Sequence, residues 1–245
     1  TTEIYTLSLH DALPISANSI QSKKYSTWEF EAYEKAVVEK KYLFKVAKST
    51  GLIPYAYLQP YYCFLPLEKE EQKYIIKRPV LPYAASHFDK ISQIYERNIK
   101  QGAEIKKIET RIDYGHALTD KKQLNPFKVV YSGIGSIVKA ALLRDIMFVD
   151  TSLYYYIPKS EDEAYFLLGY LNSPWITLKV KSVGSTGANG SLRNIHKHPL
   201  EFGLPVFNSN NESHQQISIL AQNIEKYVLH TIINLYWEKF GKDTS

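Results

Sequence analysis

The stretch from Lys181 to His198 concentrates groups that can do chemistry. It reads Lys-Ser-Val-Gly-Ser-Thr-Gly-Ala-Asn-Gly-Ser-Leu-Arg-Asn to Asn194, then Ile195-His196-Lys197-His198. Its three glycines, Gly187 among them, let a backbone approach an anion closely, and exposed N–H groups in such a loop donate to it. Lys181, Arg193 and Lys197 add positive charge, and Thr186 adds a hydroxyl. The Arg193 fork matches a phosphate or the two major-groove acceptors of guanine, while the carboxamides of Asn189 and Asn194 match adenine. His196 and His198 hydrogen-bond even when neutral. Together these are the groups that hold DNA phosphates and read base edges. The same composition also suits a glycine loop ending in a solvated basic segment.

A second candidate is Ser132-Gly133-Ile134-Gly135-Ser136, with Lys139 close behind. A small-residue turn between strands can lie against a groove, and Ser132, Gly133, Ser136 and Lys139 would be the contacts. It can equally be a bulge or hairpin that packs on the core.

Other chemistries lack their residues. Gly133-Ile134-Gly135 begins a dinucleotide fingerprint, but Val138 stands where the third glycine belongs. Neither a P-loop nor a G-x-S-x-G elbow occurs. One cysteine and seven scattered histidines do not make a zinc site. Asp89 with Glu104-x-Lys106 has the composition of a nuclease set, yet reads better as solvated surface. No Pro-Pro occurs, and Asn125-Pro126-Phe127 is a loop before a strand. The chain is expected to carry no catalytic, cofactor or metal site.

The elements that must position these residues follow from periodicity and punctuation. The spacing predicts a helix over 28–49, ending near Gly51. One or two strands broken at Pro60 fit 55–66, and a short strand fits 73–77. A helix over 86–101 is bounded by Ser86 and Gly102. Residues 103–126 read as an exposed connector. Strands are expected at 127–132, 146–149 and 153–157. Ser160-Glu161-Asp162-Glu163 is a capping box opening a helix that ends at Asn172-Ser173-Pro174. A further helix continues from Trp175, a strand fits 202–207, and a long helix closes the chain over 212–239. Its stripe would be Ile217, Leu220, Ile224, Val228, Thr231 and Ile232. The expected class is α/β (α+β), a mixed sheet flanked by helices, in one domain with a helical tail.

Composition sets outer limits. The 245 residues are 44% hydrophobic and 22% charged, enough for a core and unlike a disordered chain. A single thiol rules out an internal disulfide. No 18-residue apolar run suggests a membrane span. The net charge of +5 suits a polyanionic partner without requiring one. Twenty tyrosines against one methionine fit A/T-rich codon usage as well as a wet binding surface.

The first fifteen residues, Thr1 to Ile15, resemble the in-frame translation of a sequencing adapter. This leader holds two acids and no base, so +5 for the chain becomes +7 for residues 16–245. Those residues are then expected to be the C-terminal part of a longer protein.

A longer run of features has a family likeness. Arg111-Ile112-Asp113-Tyr114 and Leu118-Thr119 precede Phe127-Lys128-Val129-Val130-Tyr131-Ser132-Gly133, then Phe148-Val149-Asp150 and Leu153-Tyr154-Tyr155. Ser160 to Leu168, Leu171-Asn172-Ser173-Pro174, Arg193-Asn194-Ile195-His196-Lys197-His198-Pro199 and Leu204-Pro205-Val206-Phe207 follow in order. Over roughly 50–225 this resembles the TaqI-like target-recognition domain of N6-adenine DNA methyltransferases of restriction–modification systems, as in type IIG and Eco57I-like enzymes. The resemblance implies a helical connector at 16–49 from a missing N-terminal methyltransferase domain, a target-recognition domain at 50–211 and a C-terminal helix at 212–245. It implies double-stranded DNA as partner, a prokaryotic cytoplasmic setting, and S-adenosyl-L-methionine only in the parent enzyme. The chain alone would be non-catalytic. A separate DNA specificity subunit, or a protein-interaction module with an incidental basic face, are the other readings.

Overall fold

The computed structural model describes residues 37–71, 73–99, 101–183, 195–203, 206–235 and 238. In chain order its elements are β1 (Leu43–Ala47), β2 (Leu52–Ile53), β3 (Ala56–Tyr57), β4 (Tyr61–Phe64), β5 (Leu67–Glu70), β6 (Lys73–Ile76), α1 (Pro82–Asn98), α2 (Ile108–Ile112), β7 (Lys128–Ser132), β8 (Ala140–Leu143), β9 (Phe148–Val149), β10 (Leu153–Tyr156), α3 (Glu161–Asn172), α4 (Pro174–Val183), α5 (His198–Glu201) and α6 (Glu212–Tyr227). The protein is α+β, with small sheets and a C-terminal helix. It groups into two compact units rather than one domain. One takes the described residues of Thr1–Val46 and Tyr61–Leu124; the other takes those of Ala47–Pro60 and Asn125–Ser245.

In the first unit β1 pairs antiparallel with β4, and β5 with β6. The helix expected over 28–49 is a strand at Leu43–Ala47, with residues 1–36 outside the described part. The apolar spacing fits either period, and the cross-strand partner at 61–64 is invisible to a local window. Helix α1 starts at Pro82, whose fixed φ suits the first helical position, so Ser86 lies inside the helix and does not cap it. Instead, the Glu39 carboxylate accepts the N–H groups of Tyr83 (3.0 Å) and Ala84 (2.8 Å). That satisfies two donors of the first turn from another element. Phe88 and Tyr95 of α1 pack with Val38, Tyr42, Phe64 and Ile108. The expected connector over 103–126 contains α2 and is partly organised by Asp113. Its carboxylate accepts the N–H groups of Leu118 and Thr119 (3.0 Å each) and the Thr119 hydroxyl (2.7 Å).

In the second unit the strand order is β10-β7-β8, with antiparallel pairing throughout. Strand β8 was not expected from sequence, because Ala140-Ala141-Leu142-Leu143 shows no alternation. It is buried on both faces. Ala140 and Leu142 join Val129 and Tyr131 in the core under the helices, while Ala141 and Leu143 join Val130, Leu52 and Leu153 on the other face. The period of two thus survives in geometry where hydropathy hides it. Ser160 accepts the Glu163 N–H (3.1 Å) as a capping box requires. The Glu163 carboxylate closes on the Lys159 N–H rather than on that of Ser160.

Helix α6 lies on α3 with Ser218, Ala221 and Glu225 buried, while Ile217, Leu220, Ile224 and Ile232 are exposed. The expected apolar stripe coincides with the packed face only in part: Val228 is buried and Ile217 meets α3 at Gly169, while Leu220, Ile224 and Ile232 are exposed. The helices approach so closely that a Cβ at Gly169 would lie 2.9 Å from Ile217 Cγ2 and 3.3 Å from Ala221 Cβ. Close crossing selects small residues at the contact. The strand expected over 202–207 is also absent among the described residues: Phe202 and Gly203 form a turn, and Gly203 has φ +69°. No described helix is long and apolar enough to cross a membrane.

Candidate nucleic-acid interface

Two sequence patches meet in the second unit. Strands β7 and β8 form a hairpin whose loop is 133–138. The Ser132 N–H donates to the Lys139 carbonyl (2.9 Å), and the Ser132 hydroxyl accepts the Lys139 N–H (3.2 Å). Gly133 N–H donates to the Ser152 carbonyl, and the Gly133 carbonyl accepts the N–H groups of both Ile195 and His196, each bond 2.9–3.0 Å long. The basic segment is thereby fastened to the hairpin loop. Ser132 and Gly133 were expected as contact residues, but both are buried and their polar groups are consumed inside the fold. They position the loop. A Cβ at Gly133 would lie 3.0 Å from the Tyr154 ring and 3.1 Å from the Ser152 carbonyl oxygen, so any larger residue would press on both.

The loop beyond Gly133 turns outward. Gly135 has φ +148°, and Ile134, Ser136 and Ile137 are exposed. Beneath it Tyr154 stacks on Tyr131 with ring centroids 5.5 Å apart, and its hydroxyl lies 3.4 Å from His196 Nδ1. The Tyr131 hydroxyl is buried with no hydrogen-bond partner, and burial first, then Tyr154 and Glu201, push its pKa up. His196 sits at φ +46°, a conformation that costs free energy and is held here by the bond to Gly133.

Helix α4 flanks the loop. The Val138 N–H donates to Thr177 Oγ1 (3.1 Å), and Lys181 lies one turn further along the same helix face, exposed. Trp175 is exposed, with Lys179 Nζ 5.5 Å from its ring centroid. Lys197 and His196 are exposed, and Lys139 is half-buried. His198 is engaged locally, 3.0 Å from Glu201. Thr186, Gly187, Asn189, Arg193 and Asn194 lie outside the described residues. The structure thus brings Ser136, Lys139, Lys181, His196 and Lys197 to one neighbourhood. Sequence reasoning missed Ile134, Ile137 and Trp175, whose apolar character reads as core.

No protein-family model and no curated protein matches this chain.

The remaining sequence candidates resolve into structure. Asp89 makes a two-point ion pair with Arg78 (2.7 Å for each bond), and that partner holds its carboxyl below the usual range. A carboxylate so engaged is a poor metal ligand. Among the described residues no group of three or more His, Cys, Asp or Glu could hold a metal ion. Asn125 Oδ1 accepts the Phe127 N–H (2.8 Å), a local turn leading into β7. The short Leu-Asn-Ser-Pro motif is a joint: Ser173 ends α3, Pro174 starts α4, and Asn172 reaches β8.

Proposed function

We propose that this chain is the DNA target-recognition part of a site-specific, S-adenosylmethionine-dependent adenine-N6 DNA methyltransferase of a prokaryotic cytoplasm. The observation that carries the reading is the bond pair from Ile195 and His196 to the Gly133 carbonyl. It joins the two segments whose residue types suit DNA, although they are far apart in sequence. The lysines beside that junction (Lys139, Lys181 and Lys197) can meet phosphates, and Asn189, Arg193 and Asn194, outside the described residues, are of the types suited to base edges. Resemblance in motif order along residues 50–225 supports the same assignment.

Methyl transfer belongs, in this reading, to a preceding domain. Gly133-Ile134-Gly135 leads into a hairpin rather than a helix N-terminus, so it does not fit a nucleoside cofactor. The role of this chain is to hold the duplex in register while the partner domain extrudes the target adenine.

The test is duplex binding by the full chain as salt is raised. The logarithm of affinity should fall linearly with the logarithm of salt, and Lys181→Ala with Lys197→Ala should reduce that slope by about 1–2. No binding at about 50 mM salt by a chain with native circular dichroism would remove the reading.

A further inference from the structure

The described face around loop 133–138 combines an apolar tip with a cationic border. Ile134 is 56% exposed and Ile137 is 43% exposed, at the end of a hairpin buried along its strands. About half of each side chain's apolar surface is therefore left in water. The loop is not slack, because Gly133 is fixed by three backbone bonds and Val138 by Thr177. The side chains are therefore presented from an anchored base. Each neighbouring contact carries a cation: Lys139 follows Val138, Lys197 follows His196, and Lys181 lies one turn beyond Thr177. The nearby carboxylate of Glu201 lies 3.0 Å from His198 Nδ1.

Such a surface fits a partner that is apolar inside and anionic at its edges. Stacked base pairs between two phosphate backbones have that pattern. Resting on the DNA reading above, we propose that the β7–β8 loop is a wedge: Ile134 enters a base step of the duplex, with Ile137 against the adjoining sugar. Lys139 and Lys197 hold the flanking phosphates. Apolar side chains inserted this way unstack one step and bend the helix, and the cost is offset by the contacts the bend allows. An anchored loop suits the task, since a floppy one would lose ordering entropy on insertion.

The experiment uses the full chain with duplexes carrying 2-aminopurine at successive positions. The wild type should brighten the probe at one step, and Ile134→Leu should retain this. Ile134→Ala should lose the brightening and bind about tenfold more weakly, with the salt slope unchanged, because no phosphate contact is removed. Lys197→Ala should lower the slope instead. If the wild type binds duplex but Ile134→Ala binds and brightens equally, the wedge is wrong while the DNA reading stands. If the folded wild type does not bind duplex at all, both fall. If poly-L-glutamate binds as tightly and is equally weakened by Ile134→Ala, the surface serves an acidic polypeptide and the wedge is overturned.

Discussion

The carboxamide of Asn172 pairs with both backbone groups of Ala140. Its Oδ1 accepts the Ala140 N–H at 2.9 Å, and its Nδ2 donates to the Ala140 carbonyl at 3.0 Å. The side chain behaves as one more strand residue at the edge of β8, and it ties the end of α3 to the sheet that carries loop 133–138. Asn172→Asp replaces the donor by a charge facing a carbonyl, whereas Asn172→Ala leaves the Ala140 N–H unmet, the carbonyl keeping the Tyr55 N–H at 2.8 Å. Each should cost about 2–3 kcal/mol in urea unfolding, with Asp the worse at neutral pH. A loss below about 0.5 kcal/mol for both would show that the pairing is incidental.

Arg144 fixes α6. It donates to both oxygens of Glu225 (2.8 and 2.9 Å) and to the Tyr165 hydroxyl (2.8 Å), and the Glu225 side chain is only 5% exposed. Burial opposes the charge on Arg144, but Glu225 more than compensates, so its pKa rises. Arg144→Met strands a buried carboxylate and should cost about 3 kcal/mol. Arg144→Met with Glu225→Leu should recover most of that loss in a double-mutant cycle.

His87 makes the first unit sensitive to acid. It is buried against Phe64, ring centroids 4.9 Å apart, and burial followed by Lys90 lowers its pKa from 6.5 to about 4. The folded state therefore binds the proton less readily than the unfolded state. This stability is complete above pH 6.5 and is lost as pH falls from 6.5 towards 4. The urea midpoint of the wild type should drop over that window, by roughly 1–3 kcal/mol in stability. His87→Leu should flatten the dependence.

Lys128 responds at the other end of the scale. It is fully buried in β7, its Nζ donates to the Met147 carbonyl at 2.9 Å, and burial lowers its pKa from 10.5 to about 8. The unfolded state keeps the proton longer, so stability should increase as pH rises from 8 to 10.5. Lys128→Met should abolish that rise and leave stability at pH 7 unchanged or about 1 kcal/mol higher. A loss of more than about 2 kcal/mol would mean that the bond to Met147 outweighs the buried charge.

Features set by residues close together in the chain are legible in the sequence. Ser160 with Glu163 announces α3 because a cap needs only residues three apart. Pro60 interrupts the strands on either side of it, and Asn172-Ser173-Pro174 stops α3, because proline removes a donor and restricts its neighbour. The basic character of His196 and Lys197 is equally plain.

Features that depend on a distant partner are not legible there. Leu43–Ala47 is a strand because 61–64 lies beside it, and Pro82 opens α1 with Glu39 as its cap. The packed face of α6 is set by where α3 crosses it: Gly169 meets Ile217 and Ala221, while Leu220 and Ile224 stay exposed. Ser132 and Gly133 have the composition of contact residues, yet their burial turns them into supports.

The sequence by itself determined the α+β class, the capped α3, the proline stops and the cationic segment that ends at His198. Each depends on spacing within a few residues, where backbone sterics and local hydrogen bonds decide. Only the tertiary structure decided that the Gly133 carbonyl receives Ile195 and His196, and that Ile134 faces outward. Those outcomes follow from strand register and close packing, which couple residues far apart in the chain.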